Sequence, residues 1–221
     1  GADDVEAVEA EDLGRGGVFG QYRDLQSEFG ANRIVDTPIS EAAIMGTAVG
    51  AAMMGTRPIV EMRFSDFALC AIDELVNQAA KARYMFGGQT KVPLVAREPV
   101  GMWRASAAQH SQSLEAWYTH IPGLVVVMPS TPADNRGLLA SAIRSDDPVV
   151  YLEHKGLWPL EGDVPEGDYT VPIGQARVAS TGDDLTLISW SATVHECVAA
   201  AAQLSTDGIH AEVIDLRTLW P

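Results

Sequence analysis

The 221 residues contain only two cysteines, Cys70 and Cys197. They lie far apart in unrelated contexts, so neither a disulfide framework nor a CxxC metal or redox site is available. A reducing compartment is expected, and with it a cytoplasmic protein. No apolar run is long enough to cross a bilayer and no signal peptide is recognisable, so no membrane partner is expected. Basic residues are scarce as well: 15 Lys and Arg stand against 30 Asp and Glu, a net charge of -15. That excess argues against non-specific binding to nucleic acid or to an anionic membrane. A Walker A loop, an HExxH helix and a GxSxG nucleophile elbow are all missing. The glycine-rich LGRGGVFG at 13–20 reads as a loop, because it lacks the strand-to-helix setting of a dinucleotide fingerprint.

What remains is an ordinary globular composition, 47% apolar and 20% charged, in a chain long enough to bury a sizeable core. The stretch that organises it is RIVDTPISEAAIMGTAVGAAMMGTRPIVE at 33–61. A short strand closes at Asp36-Thr37-Pro38, because the residue before a proline is steered away from helix. Ser40 can cap the following helix, 41–54, and Glu41 then falls in its first turn, where the helix dipole favours negative charge. After Glu41 that helix carries no charge, so it is expected to be buried on all sides. Gly55 ends it, and Pro58-Ile59-Val60 opens the next strand. Glu41 thus stands just past a strand's C-terminal end, where open α/β sheets place their ligands.

The rest of the chain continues the alternation. Residues 1–12 hold six acids and no base and read as a frayed end or an edge. A short amphipathic helix is expected at 21–30, and a longer one at 67–85 with Asp66 as its cap. Strands are expected at 57–62, 92–96, 124–128 and 148–152. A long loop is expected at 97–109, and helices at 110–120 and 133–144. Strand and helix in steady succession predict an α/β, doubly wound, mostly parallel sheet with right-handed crossovers. Residues 1–155 form this domain. Residues 156–172, rich in Gly, Pro, Asp and Glu, read as a linker. Residues 173–221 read as the start of a smaller α/β C-terminal domain, a single βαβ unit.

Four features carry candidate chemistry. Glu41 is the first. Phe64 and Phe67 follow a strand's C-terminal end, where a ring can stack on a flat heterocycle. His110, in AAQHSQ, can move protons near neutral pH. The helix end AIRSDDP at 142–148 leaves carbonyls unpaired that can face one cation.

DTPISEAAIMGTAVGAAMMGTRPIVEMRFSDF, VNQAAKARYMFGGQTKVPLVAR, AAQHSQSLEAWYTHIPGLVVVMPSTPADNRGLLASAIRSDDPVVYLEHK and VIDLRTLWP together resemble the beta subunit of thiamine-diphosphate-dependent 2-oxo acid dehydrogenases. The wording is closer to the pyruvate and acetoin members than to the branched-chain ones. The resemblance covers nearly the whole chain from Glu11 onward. It implies a transketolase-like pyrimidine-binding domain and an oxidoreductase that decarboxylates a small 2-oxo acid and passes the acyl group to a lipoyl carrier. Glu41 matches the glutamate bonded to the cofactor's aminopyrimidine, and Phe67 the aromatic packed on that ring. Glu11, Ile39 and Arg63 match other positions of the same pocket. His110 matches the active-site histidine. Leu94, Ala142, Ile143, Ser145 and Asp147 match positions whose backbone carbonyls hold potassium. An alpha subunit is expected to supply the magnesium-diphosphate half in an alpha2beta2 heterotetramer docked on a lipoyl acyltransferase core. This accounts for Gly162-Asp163, Gly167-Asp168 and Gly182-Asp183, none of which is followed by the Asn-bearing turn of a magnesium-diphosphate motif.

Three departures stand out. Arg63 replaces an uncharged residue beside the pyrimidine, Met102-Trp103-Arg104 replaces smaller loop residues, and the first strand is oddly polar. Two rival functions remain: a split transketolase transferring a two-carbon unit, and a non-catalytic assembly subunit. Sugar phosphates need basic loop residues, and only Arg63, Arg97 and Arg104 are at hand. Loss of cofactor binding would mark the assembly subunit.

Overall fold

In the computed structural model, residues 7–17 and 19–221 are described; the acidic residues 1–6 and Val18 of the glycine-rich loop lie outside them. Strand β1 (Ala7–Ala10) is followed by helix α1 (Leu25–Phe29), strand β2 (Ile34–Asp36), helix α2 (Glu41–Met53) and strand β3 (Pro58–Glu61). Helices α3 (Ser65–Ala68) and α4 (Ala80–Met85) precede strand β4 (Val95–Val100). Helix α5 (Glu115–Thr119), strand β5 (Val125–Val127), helix α6 (Pro132–Arg144) and strand β6 (Val149–His154) complete the first layer system. Then come β7 (Arg177–Ser180), β8 (Leu185–Ser189), helix α7 (Ala192–Thr206), β9 (Ala211–Asp215) and β10 (Thr218–Trp220).

Seven strands join in the order β10-β5-β6-β4-β3-β1-β2. All neighbours are parallel except β10, which runs antiparallel to β5. A parallel sheet needs both faces covered, and two apolar clusters do this. Ile44, Met45, Ala48 and Val49 of α2 pack with Leu75, Ala79 and Tyr118 on one face. Leu138 and Ala142 of α6 pack with Val8, Ile59, Val95 and Tyr151 on the other. A second sheet, β7-β9-β8, carries α7. Buried ion pairs join the two sheets. Arg217 donates to Asp134 at 2.9 Å, and Arg177 reaches Asp134 at 3.2 Å and Asp215 at 3.0 Å.

Several expectations change in detail. Residues 7–10 are neither frayed nor an edge: β1 is hydrogen-bonded on both sides, to β2 and β3. Helix α2 is buried on one side only. Ala43, Thr47, Gly50 and Met53 are exposed, because just one face meets the sheet. Ser40 occupies the N-cap position without a side-chain cap hydrogen bond, while Gly55 adopts φ 105° as a helix terminator should. The single helix expected at 67–85 is broken into α3, a 3-10 turn at Leu69–Ala71, a π-helix at Asp73–Ala79 and α4. Phe64, not Asp66, is the N-cap of α3. Arg97 and Glu98 belong to strand β4 rather than to the loop after it, since both are paired in the ladder with β6. The helix expected at 110–120 shrinks to α5 preceded by a 3-10 turn at Ala108–His110. Strands β7 and β10 were not anticipated. The polar stretch after β6 runs along α6: Tyr169 donates to the Ala133 carbonyl, Ser141 to that of Val171, and Arg136 to those of Pro165 and Gly167.

Candidate active site

Every candidate side chain except the carbonyl set lies at one edge of the main sheet, beyond the C-terminal ends of its parallel strands. Glu11 follows β1, Ile39 and Glu41 follow β2, Arg63, Phe64 and Phe67 follow β3, and His110 ends the loop that leaves β4. The strand order changes direction at this edge. From β1 the chain moves outward to β2, then crosses back to β3 on the other flank of β1. Such a reversal opens a crevice between β1 and β3, the usual ligand position in an open α/β sheet.

An ion pair spans that crevice. The Arg63 guanidinium donates to the Glu11 backbone carbonyl and lies 3.5 Å from the Glu11 carboxylate and 3.4 Å from Asp12. Arg63 is buried, and its Nη1 has no hydrogen-bond partner among the described residues. Buried polar atoms are normally paired, yet several more orphans gather here: Thr37 Oγ1, Ser65 Oγ, Asp66 Oδ2 and His110 Nδ1. Glu41 is half-buried in the first turn of α2, and Ile39 before it is 79% exposed.

Beside the ion pair stands an aromatic wall. The Phe64 and Phe67 rings stand edge-to-face with the His110 imidazole at centroid distances of 5.0 and 5.2 Å. Phe64 continues to Phe19 at 6.1 Å, and Phe19 to Trp103 at 5.4 Å and Trp158 at 4.5 Å. Edge-to-face packing of this kind suits a rigid, water-poor wall. Phe19, Trp158 and Lys155, whose ammonium lies 4.4 Å from the Phe64 ring centre, join the site without a signal in the sequence. Nothing in their local pattern distinguishes them from loop residues.

The chain therefore brings Glu11 to Arg63 and Phe67 to His110. It leaves the carbonyl set at the opposite end of the sheet, where α6 turns into β6. There Arg57 Nη1 donates to both the Ile143 and Ser145 carbonyls, at 3.0 and 2.8 Å. Two of the five carbonyls thus converge on a cation supplied by the chain itself. The Ala142 carbonyl accepts from Ser145 N–H, Leu94 from Val149 N–H, and Asp147 from the Ser145 hydroxyl. A carbonyl has two lone pairs, so one hydrogen bond does not exhaust it. Among the described residues no group of three His, Cys, Asp or Glu is placed to hold a metal ion, and no helix is long and apolar enough to cross a membrane.

Residues 4–161 match the family model described as transketolase, pyrimidine binding domain, and residues 174–221 that of transketolase, C-terminal domain. The acetoin:2,6-dichlorophenolindophenol oxidoreductase subunit beta of Cupriavidus necator is 51% identical over 206 residues, 93% of this chain and 61% of its own length. The 2-oxoisovalerate dehydrogenase subunit beta of Bacillus subtilis is 48% identical over 216 residues, 97% of this chain and 66% of its own. The pyruvate dehydrogenase E1 component subunit beta of Rhizobium meliloti is 50% identical over 206 residues, 93% of this chain and 45% of its own. The chain spans less than two thirds of the length of each of these relatives. Among solved structures, a split gene transketolase titled as an inactive beta4 tetramer shares the fold with a TM-score of 0.74. It is 21% identical, over 98% of this chain and 66% of that one.

Proposed function

Because this chain belongs to the transketolase pyrimidine-binding domain family, we propose that it is the pyrimidine-binding part of a 2-oxo acid dehydrogenase beta subunit of the pyruvate or acetoin type. Residues 1–155 are the pyrimidine domain, 156–172 the connection and 173–221 the beginning of the C-terminal domain. The observation that carries the reading is the gathering of Phe67, His110, Glu11 and Arg63 at the switch crevice, with Glu41 at the head of the adjacent helix.

Thiamine diphosphate, when bound, supplies the carbon nucleophile and the electron sink for decarboxylation. The crevice fits its heteroaromatic ring: orphaned donors and acceptors line it, and aromatic edges flank it. Glu41 would hold a ring nitrogen and keep a proton there, aided by its place in the first turn of α2. Phe67 would pack on the ring, with Ile39 and Arg63 at its margins and Glu11 fixed by Arg63. His110 would move a proton at the reacting end. The surrounding rings would exclude the water that would weaken these contacts. An alpha subunit in an alpha2beta2 heterotetramer would hold magnesium and the diphosphate, and a lipoyl acyltransferase core would receive the acyl group. A cytoplasmic setting accords with two free cysteines.

The carbonyls of Leu94, Ala142, Ile143, Ser145 and Asp147 would hold potassium beside Arg57, since main-chain oxygens suit a hard cation. A Tm that responds equally to sodium and potassium would remove this part. The transketolase alternative is weakened because Arg63 and Arg97 are both bound to carboxylates and are poorly available to a sugar phosphate.

The test is Glu41→Gln in the full-length chain reconstituted with its alpha partner. Turnover of pyruvate with a dye acceptor should fall by roughly 10²- to 10⁴-fold, as for loss of a proton-handling group, with the circular dichroism unchanged. Undiminished turnover would refute the role of Glu41. Failure of the wild-type assembly to bind thiamine diphosphate in calorimetry would refute the reading as a whole.

A further inference from the structure

Lys155, just past β6, is fully buried at 0% exposure. An ammonium taken out of water costs several kcal/mol unless partners replace the solvent. Here no carboxylate lies within salt-bridge distance among the described residues. The partners are the backbone carbonyl of His110, which accepts from Lys155 Nζ, and the face of Phe64 at 4.4 Å. Burial lowers the lysine's proton affinity, and the charge of Asp66 opposes that in part. A methionine would fill the same volume without this cost, so the charge serves something other than packing.

That service is visible in the loop it touches. The chain leaves β4 at Gly101, whose φ is 81° and where a Cβ would collide with the His154 imidazole. It passes Arg104 and Ala107, which adopt φ 54° and 66°, a conformation unfavourable for residues with a Cβ. Such a segment holds one shape only if its surroundings over-determine it. At its base, Gly101 N–H donates to the Gln112 carbonyl at 2.9 Å and Gln112 donates to Asp66 at 2.7 Å. At the histidine itself, Phe64 and Phe67 pack edge-to-face with the imidazole, and Nδ1 is shielded with no partner among the described residues. Among the described residues no side chain hydrogen-bonds that nitrogen, so the ring is held by its backbone and by Phe64 and Phe67. Lys155 grips the backbone and Phe64.

We propose that Lys155 is a positioning residue that sets the direction of the His110 imidazole, by holding the His110 carbonyl and the Phe64 ring against which that imidazole rests. The inference rests on the reading of His110 as the proton-moving group. It goes beyond that reading by placing the control of His110 in the segment after β6, which belongs to neither the histidine's loop nor its neighbouring helix. Without the ammonium, His110 retains its chemistry and loses its aim.

The experiment uses the full-length chain reconstituted with its alpha partner, with pyruvate and a dye acceptor as probes. Lys155→Met should lower kcat by roughly 10²-fold, the scale of a small misplacement of a reacting group. KM for pyruvate and the calorimetric affinity for thiamine diphosphate should stay within about twofold. In histidine-selective NMR of the unloaded assembly, the His110 resonance, identified by its loss in His110→Ala, should move or broaden. Lys155→Arg keeps donors for the carbonyl and a cation for the ring, and should restore most of the turnover. A Lys155→Met protein with kcat within about twofold of wild type, beside an inactive His110→Ala, would overturn the proposal and leave the reading of His110 intact. If His110→Ala is itself fully active, that reading falls, and an unmoved His110 resonance in Lys155→Met overturns the positioning role separately. Should Lys155→Met fail to fold, Lys155→Arg decides: folded and inactive, it refutes the proposal; folded and active, it supports it.

Discussion

Arg97 and Glu98 are adjacent in strand β4, both charged in solution, and they point to opposite faces of the same sheet. Arg97 enters the face covered by α6. There it donates to Glu153, at 3.0 Å through Nε, and to the Tyr22 hydroxyl, and it lies 3.4 Å from Glu61. Tyr22 passes a hydrogen bond on to Glu61, and Gln21 adds another at 3.1 Å. Burial alone would lower the pKa of Arg97, but Glu153, Tyr22 and Glu61 outweigh it and the guanidinium stays charged. Glu98 enters the face covered by α2 and α5 at 0% exposure, and neither oxygen has a hydrogen-bond partner among the described residues. The Tyr118 hydroxyl lies beside it and opposes the effect of burial only in part. Burial pushes the Glu98 carboxyl up to about 8. Arg97 keeps some exposure and three partners, whereas Glu98 is sealed in with little to offset its burial, and that decides which charge survives.

Two substitutions probe the contrast. The larger effect belongs to Arg97→Met. It strands Glu61 and Glu153 as buried carboxylates without a cation and should cost about 3–5 kcal/mol, the scale for removing one partner of a buried pair. Urea unfolding of the full-length chain measures it, and a cost below 1 kcal/mol would mean that the network adds little. The effect of Glu98→Leu depends on pH and vanishes at the acid end. The folded carboxyl holds its proton up to about 8, whereas an unfolded glutamate ionises near 4.5. Between these values the unfolded chain binds fewer protons than the folded one, so wild-type stability falls as pH rises through that window. Below it both states are protonated and the penalty is absent. Glu98→Leu removes the slope and should gain on the order of 4 kcal/mol over wild type at pH 9, with little or no gain at pH 4. Parallel stability curves for the two proteins would show Glu98 to be paired or solvated after all.

The same strand marks the limit of what the amino-acid order discloses. RPIVE, LVVVM and PVVYL announced central strands, because β-branched runs fit a sheet buried on both faces. AVEA and the REPV half of β4 did not, because their acids and base become intelligible only through residues far away in the chain: Arg97 meets Glu153, and Glu9 lies in a strand bonded on both sides. The π-helix at Asp73–Ala79 has no glycine or proline to announce it. At the candidate site, Glu41, Phe64, Phe67 and His110 could be named because each follows a recognisable strand end. Lys155 could not, since its meaning lies in a carbonyl and a ring that only the folded chain brings to it. Glu11 and Arg63 could be named one by one, but not as an ion pair spanning the crevice.

Strand β10 gives the molecule an order of completion. Val125–Val127 leaves the ribosome well before Thr218–Trp220, the segment that pairs with it from the far side of the second sheet. Until then a β-branched rim lies unpaired, a template for any other extended segment. The first sheet is therefore finished only by the last residues described, and a growing chain must keep that rim shielded while the second sheet is still being made.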